Sequence, residues 1–213
     1  MTGLYAIKPR FRRALGGIAG WLAERGVAPD HVTTLGVAAS GFGALSFVAG
    51  RRRQAAYAGV PVAALARITA NALDGLVAEK AGLGRPAGEL YNETADRLGD
   101  IAFFSGAATV EGTSPALAFA ALAMAETASF IGVAAQSAGG TRRYEGPMGK
   151  PDRMLLLGGA ALIASFYPRP GRVINLALGT TAVGAAATAL NRYLRAYREL
   201  EGKSGAQAGS GAL

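Results

Sequence analysis

The chain has 213 residues, 51% of them hydrophobic and 17% charged, against about 25% charged in an ordinary soluble domain. It holds no cysteine and a single histidine, His31, which excludes disulfides, thiolate nucleophiles and Cys-ligated metals and leaves little for His-based triads or metal sites. The net charge of +8 is compatible with nucleic acid or with an anionic membrane surface. The placement of the charges decides for the membrane, and no nucleic-acid partner is expected.

About 20 apolar residues cross a bilayer as a helix, and the basic and acidic residues leave several stretches of that size free. In chain order, the start is an interfacial amphipathic helix, in which Lys8, Arg10, Arg12 and Arg13 precede Leu15, Ile18, Trp21 and Leu22 at helical spacing. It carries no recognisable cleavable leader. Six spans are then predicted, at roughly 31–50, 55–78, 89–110, 115–138, 154–167 and 173–193. The fourth and sixth are the cleanest, and the fifth is short. The second and third carry Arg67, Asn71, Asp74, Asn92, Glu93, Asp96, Arg97 and Asp100. The stretch from 201 to 213 is rich in Gly, Ser and Ala and reads as a disordered tail. No internal repeat is visible.

The expected architecture is thus an all-α integral membrane protein: a cytoplasmic segment 1–29, a six-helix domain 30–200 and a tail 201–213. Of the 22 basic residues 15 fall on one side if both termini lie in the cytoplasm; Arg51, Arg52, Arg53, Arg169 and Arg172 fall on the other, and Arg67 and Arg97 lie within helices. That orientation suits a multi-pass protein of the inner (plasma) membrane. Trp21 and most tyrosines fall near span ends, and Gly41, Gly43, Gly50, Gly158 and Gly159 suit close helix packing. His31 reads as an interface residue rather than a metal ligand.

Ionisable groups within spans are costly and usually face a cavity, a partner or a substrate. On the second span Arg67, Asn71, Asp74 and Ala78 recur at helical spacing, and on the third Gly88, Asn92, Asp96 and Asp100 do the same. The short connection from 79 to 88 lets the two faces meet near the cytoplasmic surface. Carboxylates converging from two helices with amide oxygens beside them suit a hard divalent cation, Mg2+ or Mn2+, and such an ion commonly engages substrate phosphates. Gly75 and Gly88 allow a ligand close to the backbone. A structural polar cluster or a proton path is the alternative reading of the same spacing. Arg143, Lys150 and Arg153, placed on the third cytoplasmic segment, either bind phosphate or serve as topological anchors. Arg67 either balances the carboxylates or pairs with Glu126.

The run Asn71-Ala-Leu-Asp74-Gly75-Leu-Val-Ala78-Glu79, eight residues, then Gly88-Glu-Leu-Tyr-Asn92-Glu-Thr-Ala-Asp96 resembles the CDP-alcohol phosphotransferase motif. That motif reads D-x-x-D-G-x-x-A-R, about eight residues, then G-x-x-x-D-x-x-x-D. Pro29-Asp30-His31-Val32-Thr33 is similar to the family's P-N-x-x-T opening of the first span. Arg143 to Lys150 resembles its R-x-x-G-P-x-x-K loop, and Asp96-Arg97-Leu-Gly-Asp100 a D-R-x-x-D ending of phosphatidylinositol-synthase-like members. The resemblance covers residues 8–195. Its departures are Asn71 and Asn92 at two motif aspartates and Glu79 at the arginine.

The resemblance implies transfer of a substituted phosphate from a CDP-linked donor, such as CDP-diacylglycerol, to an alcohol, with release of CMP in phospholipid biosynthesis. It implies one or two Mg2+ or Mn2+ ions on Asp74, Asp96, Asn71 and Asn92, with Asp96 also the general base. Asp100, favoured over Glu79 and Glu93, is expected to restore lost charge. Asn71, Asp74, Gly75, Ala78 and Gly88 are expected at the nucleotide, and membrane lipids and a homodimer as partners. Two other classes stay open: a pseudoenzyme that binds a lipid or partner, and a small transporter using Asp74, Asp96 and Asp100 as relays.

Overall fold

The computed structural model describes residues 8–210, with side chains over 10–203. The expected basic face of the first helix therefore includes one residue, Lys8, whose side chain lies outside the described ones. Seven α-helices follow in order: α1 (Lys8–Glu24), α2 (Pro29–Gly50), α3 (Gly59–Ala81), α4 (Pro86–Ala108), α5 (Pro115–Ser137), α6 (Lys150–Ala164) and α7 (Pro170–Ser210). A short 3-10 turn, Gln54–Ala58, precedes α3. Among the described residues there is no strand.

Proline sets most of the starts. α2, α4, α5 and α6 each carry one at the first or second position, where the missing N–H costs nothing and the fixed φ is already helical. α5 is also capped by the Ser114 hydroxyl, which accepts from the Leu117 N–H at 3.4 Å. α3 ends at Gly82, which takes a left-handed conformation with φ of 66° and lets the chain turn directly into α4. Pro151 starts α6 a turn before the expected boundary at residue 154. Lys150 and Arg153 consequently belong to a helix rather than to the loop in which the charge pattern put them. α7 continues as helix through Ser210 across the stretch whose composition suggests disorder; residues 211–213 are outside the description.

Large side chains such as Phe47, Phe103 and Leu178 are buried together with many small ones, and numerous further large apolar side chains face outward. Alanines such as Ala64, Ala107, Ala121, Ala125 and Ala161 are fully buried, while Phe119, Leu176 and Val183 are 73% exposed. Small residues bring helix backbones together, and large apolar ones face outward where lipid tails can solvate them. A Cβ on Gly106 would lie 2.7 Å from the Ala44 Cα, and one on Gly43 would lie 2.6 Å from Phe103. Gly50 and Gly158 are similarly close to Tyr57 and to Pro61, whereas Gly41 and Gly159 face open space.

α2, α3 and α5 (α3 with its preceding 3-10 turn), together with α7, are long and apolar enough to cross a membrane. The chain is a membrane protein. α4 has the length but carries too many charges, and α6 has 15 residues, about 22 Å of helix against a hydrocarbon core near 30 Å. α2 packs against both α3 and α4, and α5 against α7, while α3 and α4 have almost no direct backbone contact despite the four-residue connection between them. The two helices diverge, and a cavity opens between their polar faces. α1 lies along α3, burying Leu15 and Ala19 with Val32, Leu76 and Val77.

Candidate functional site

The cavity has a volume of about 860 Å³ and is walled by α1, α2, α3, α4, the start of α6 and the loop before it. Asn71 and Asp74 reach it from α3, and Asn92 and Asp96 from α4. The four side chains are cross-linked. Asn71 Nδ2 donates to Asp96 Oδ1 at 3.1 Å, and Asn92 Nδ2 donates to Asp74 Oδ2 at 2.6 Å. Four carboxylates at these positions would repel one another. Two carboxamides instead act as donors and tie the walls together.

Each carboxylate has further partners. Thr33 Oγ1 donates to Asp74 Oδ2 at 3.0 Å, and the Gly75 N–H donates to Asp74 Oδ1 at 2.6 Å. Lys150, at the start of α6, forms an ion pair with Asp96 Oδ1. Gly75 lines the cavity, and a Cβ there would meet nothing within 4 Å, so the backbone is open to a ligand. Ala78 and Gly88 line the same space.

Arg67 of the cavity wall belongs to a buried charge triad whose other members, Asp100 and Arg153, lie behind the wall. Arg67 Nη1 lies 2.7 Å from Asp100 Oδ1, and Arg153 pairs with Asp100 Oδ2. All three are at most 2% exposed. Arg67 Nη2 also donates to the Asp96 carbonyl oxygen at 2.8 Å, which couples the triad to the motif helix. Gly99 makes room for this arrangement, since a Cβ there would stand 2.7 Å from Arg67 Nη2. Asp100 is therefore not brought to the cavity. One helical turn puts it on the same stripe as Asp96, but two guanidiniums draw its carboxylate into the helix interface. The same pairing withdraws Arg153 from any phosphate. Arg67 balances a carboxylate, and Glu126 turns instead to Arg97 at 2.9 Å.

Arg143 is also turned away from the cavity. Its guanidinium pairs with Glu145 and Glu199. Its neighbour Arg142 lines the cavity instead, held by Glu93 and by Glu89 at 3.0 Å. Burial pushes the Arg142 guanidinium down, but the hydrogen bond and charge of Glu93, with Tyr144 and Glu89, hold it above its ordinary value. Arg192 of α7 fixes this loop by donating to the carbonyl oxygens of Glu145 at 2.9 Å, Tyr144 at 2.8 Å and Ala128 at 2.6 Å.

Arg12, Arg85 and Thr33 also line the cavity. Arg12 is held at 2.7 Å by Glu79, the residue at the motif's arginine position. Arg85 pairs with Asp30. Sequence reasoning placed Arg12 on the interfacial basic face and gave none of Arg12, Arg85, Arg142 or Thr33 a place at the motif residues, although Thr33 closes the quoted first-span motif. Loop residues have no periodicity from which to choose Arg142 over Arg143.

Among the described residues no group of three or more His, Asp or Glu converges on one point. The donor set still fits one hard divalent ion: Asp74 and Asp96 offer carboxylate oxygens, and rotation of Asn71 and Asn92 about χ2 exchanges Nδ2 for an amide oxygen.

No protein-family model matches the chain. It is 30% identical over 189 residues to the inner membrane protein YnbA of Escherichia coli (strain K12), covering 89% of this chain and 94% of that one. It is 34% identical over 175 residues to phosphatidylinositol phosphate synthase of Mycolicibacterium smegmatis, covering 78% and 76% respectively. The fold matches that of Mycobacterium tuberculosis phosphatidylinositol phosphate synthase solved with CDP-DAG bound, at a TM-score of 0.68 and 24% identity over 87% of this chain and 94% of that one. The same enzyme in complex with manganese and citrate matches at a TM-score of 0.66 and 25% identity, covering 85% and 88%. With the motif on the paired helices and 34% identity to such a synthase over about three quarters of each chain, the chain belongs to the CDP-alcohol phosphatidyltransferase family.

Proposed function

We propose that the protein transfers a phosphatidyl group from a CDP-linked lipid such as CDP-diacylglycerol to an alcohol, releasing CMP, as the curated synthase relative supports. The observation that carries this reading is the crosswise Asn71–Asp96 and Asn92–Asp74 pairing, which lines one cavity with the motif residues of both helices. Lipid tails stay in the bilayer while the cytidine diphosphate enters between α3 and α4. Gly75 and Ala78 leave room for the nucleotide, and Gly88 for its approach from the connection. Asp74, Asp96, Asn71 and Asn92 hold Mg2+ or Mn2+. The chemistry a bound ion supplies there is neutralisation of the diphosphate and of the departing CMP.

Asp96 accepts the alcohol proton as the new P–O bond forms and the bond to CMP breaks. Thr33 and the Gly75 N–H orient Asp74. Lys150, Arg85 and Arg142 face the space in which donor phosphates and a phosphorylated acceptor would lie. In the membrane, six spans with α4 and α6 as the charged and the short members, both termini in the cytoplasm and α1 lying at the interface satisfy the positive-inside bias. A homodimer accords with the family.

Purified protein given CDP-diacylglycerol, Mg2+ or Mn2+ and a panel of alcohols and alcohol phosphates is expected to release CMP. Asp96→Asn is expected to lower that release by at least about a hundredfold, the lower range for a lost general base. The alternative reading, a catalytically weakened scaffold, draws on the absence of a three-acid cluster among the described residues. It wins if no acceptor yields metal-dependent CMP.

A further inference from the structure

Five cationic and five anionic side chains line the cavity. Within its own lining the site is formally neutral, where aspartates at 71 and 92 would leave it two units negative. The carboxylates are already engaged: Asp74 accepts from Thr33, Asn92 and the Gly75 N–H, and Asp96 Oδ1 accepts from Asn71 and faces Lys150. Directly behind Asp96, Arg67, already counted in the lining, and the buried Arg153 share the single carboxylate of Asp100, so this triad adds no net charge to the site. A dication approaching this wall meets no surplus negative charge and must displace an ammonium.

We propose that Lys150 is a built-in counter-ion occupying the cation's place on Asp96, and that the divalent ion enters only together with a nucleoside diphosphate. This rests on the transfer reading above. The diphosphate oxygens supply the negative charge that Asn71 and Asn92 lack and draw the Lys150 ammonium off Asp96 onto themselves. The carboxylate thereby becomes free for the ion, and afterwards for an alcohol proton. Lys150 meets Asp96 and lines the cavity from the first turn of α6, anchored there by Pro151 and by Asp152, whose carboxylate accepts the Gly149 N–H at 2.9 Å. Ion and diphosphate are then positively coupled, each tightening the other by the same factor.

The test is Mn2+ binding to the purified full-length protein, followed by electron paramagnetic resonance of free Mn2+ with and without CDP and corrected for the Mn2+–CDP complex in protein-free controls. Isothermal titration measures the affinity for CDP at each Mn2+ concentration. The wild type is expected to bind Mn2+ at least about tenfold more tightly with CDP than without it. Asn71→Asp/Asn92→Asp is expected to bind Mn2+ without CDP and to lose most of that coupling. Lys150→Met is expected to tighten Mn2+ binding in the absence of CDP, and thermal melting of each variant verifies that it folds. Equal Mn2+ affinity with and without CDP, or Asp variants that bind Mn2+ no better than the wild type, overturns the loading order and leaves the transfer reading standing. Absence of CDP binding at every Mn2+ concentration overturns both.

Discussion

Gly75 and Gly99 separate binding from stability at the residue scale. A Cβ on Gly75 enters open space, whereas one on Gly99 strikes Arg67 and Ser40. Gly75→Leu should fold with an unchanged melting temperature and lose CDP binding, because the side chain fills the cavity. Gly99→Ala should melt lower, by about 1–3 kcal/mol of overpacking, because Arg67 is pinned by Asp100 and cannot swing aside. The triad itself makes a harder prediction. Asp100→Asn removes the carboxylate that two buried guanidiniums share, at a cost of about 3–5 kcal/mol, visible as a collapse in thermal stability in detergent. Were Asp100 a metal ligand instead, the same change would leave melting nearly intact and weaken only Mn2+ binding.

Asp100 and Arg153 also mark where the pattern of residues stops being informative. Helical spacing puts Asp100 on the stripe of Asp96 and cannot register that α6 delivers a second arginine to it. Asn71, Asp74, Asn92 and Asp96 were legible because their spacing within each helix and the short connection between helices leave little freedom in how they meet.

For elements, the loop between α5 and α6 is the informative case. It presents Arg142 to the cavity because Arg192 of α7 satisfies three of the carbonyl groups packed around it. Arg192→Leu removes these charge-assisted bonds, each worth about 1.5–3 kcal/mol, and should release the loop, read as faster hydrogen exchange over 139–149 with α2 to α4 unaffected. Glu145 adds a pH dependence. Burial pushes its carboxyl up, but the backbone N–H groups of Glu145 and Tyr144 and the Arg143 guanidinium outweigh that and hold it below its ordinary value. Its contribution is present above the ordinary glutamate range and is lost as pH falls through the depressed value. The loop should therefore loosen before the helices on acidification. The Arg12–Glu79 pair that ties α1 to α3 is more exposed, and Glu79→Ala should change stability by less than about 1 kcal/mol.

On the scale of the whole molecule, the exposed large apolar side chains and the alanine-rich interior make sense in a bilayer, where helix packing rewards small residues. The chain has no cysteine, so single cysteines report topology directly. Glu111→Cys, between α4 and α5, should react with an impermeant maleimide on intact cells. Leu83→Cys, between α3 and α4, should react only after permeabilisation. Both residues are exposed; the opposite labelling would turn the cavity outward and defeat the cytoplasmic donor path.

Composition and periodicity by themselves determined that the chain is helical, that it belongs in a membrane and that two neighbouring helices carry the polar residues on facing stripes. Those properties are local: they follow from side-chain hydropathy and from 3.6 residues per turn. Only the tertiary structure decided that α2 holds α3 and α4 apart to form a cavity, that Arg142 rather than Arg143 enters it, and that Lys150 meets Asp96 while Arg153 meets Asp100. These are outcomes of competition among charges distant in the chain, each taking the partner that least exposes it to the apolar interior, and that competition is settled only when all the helices are packed together.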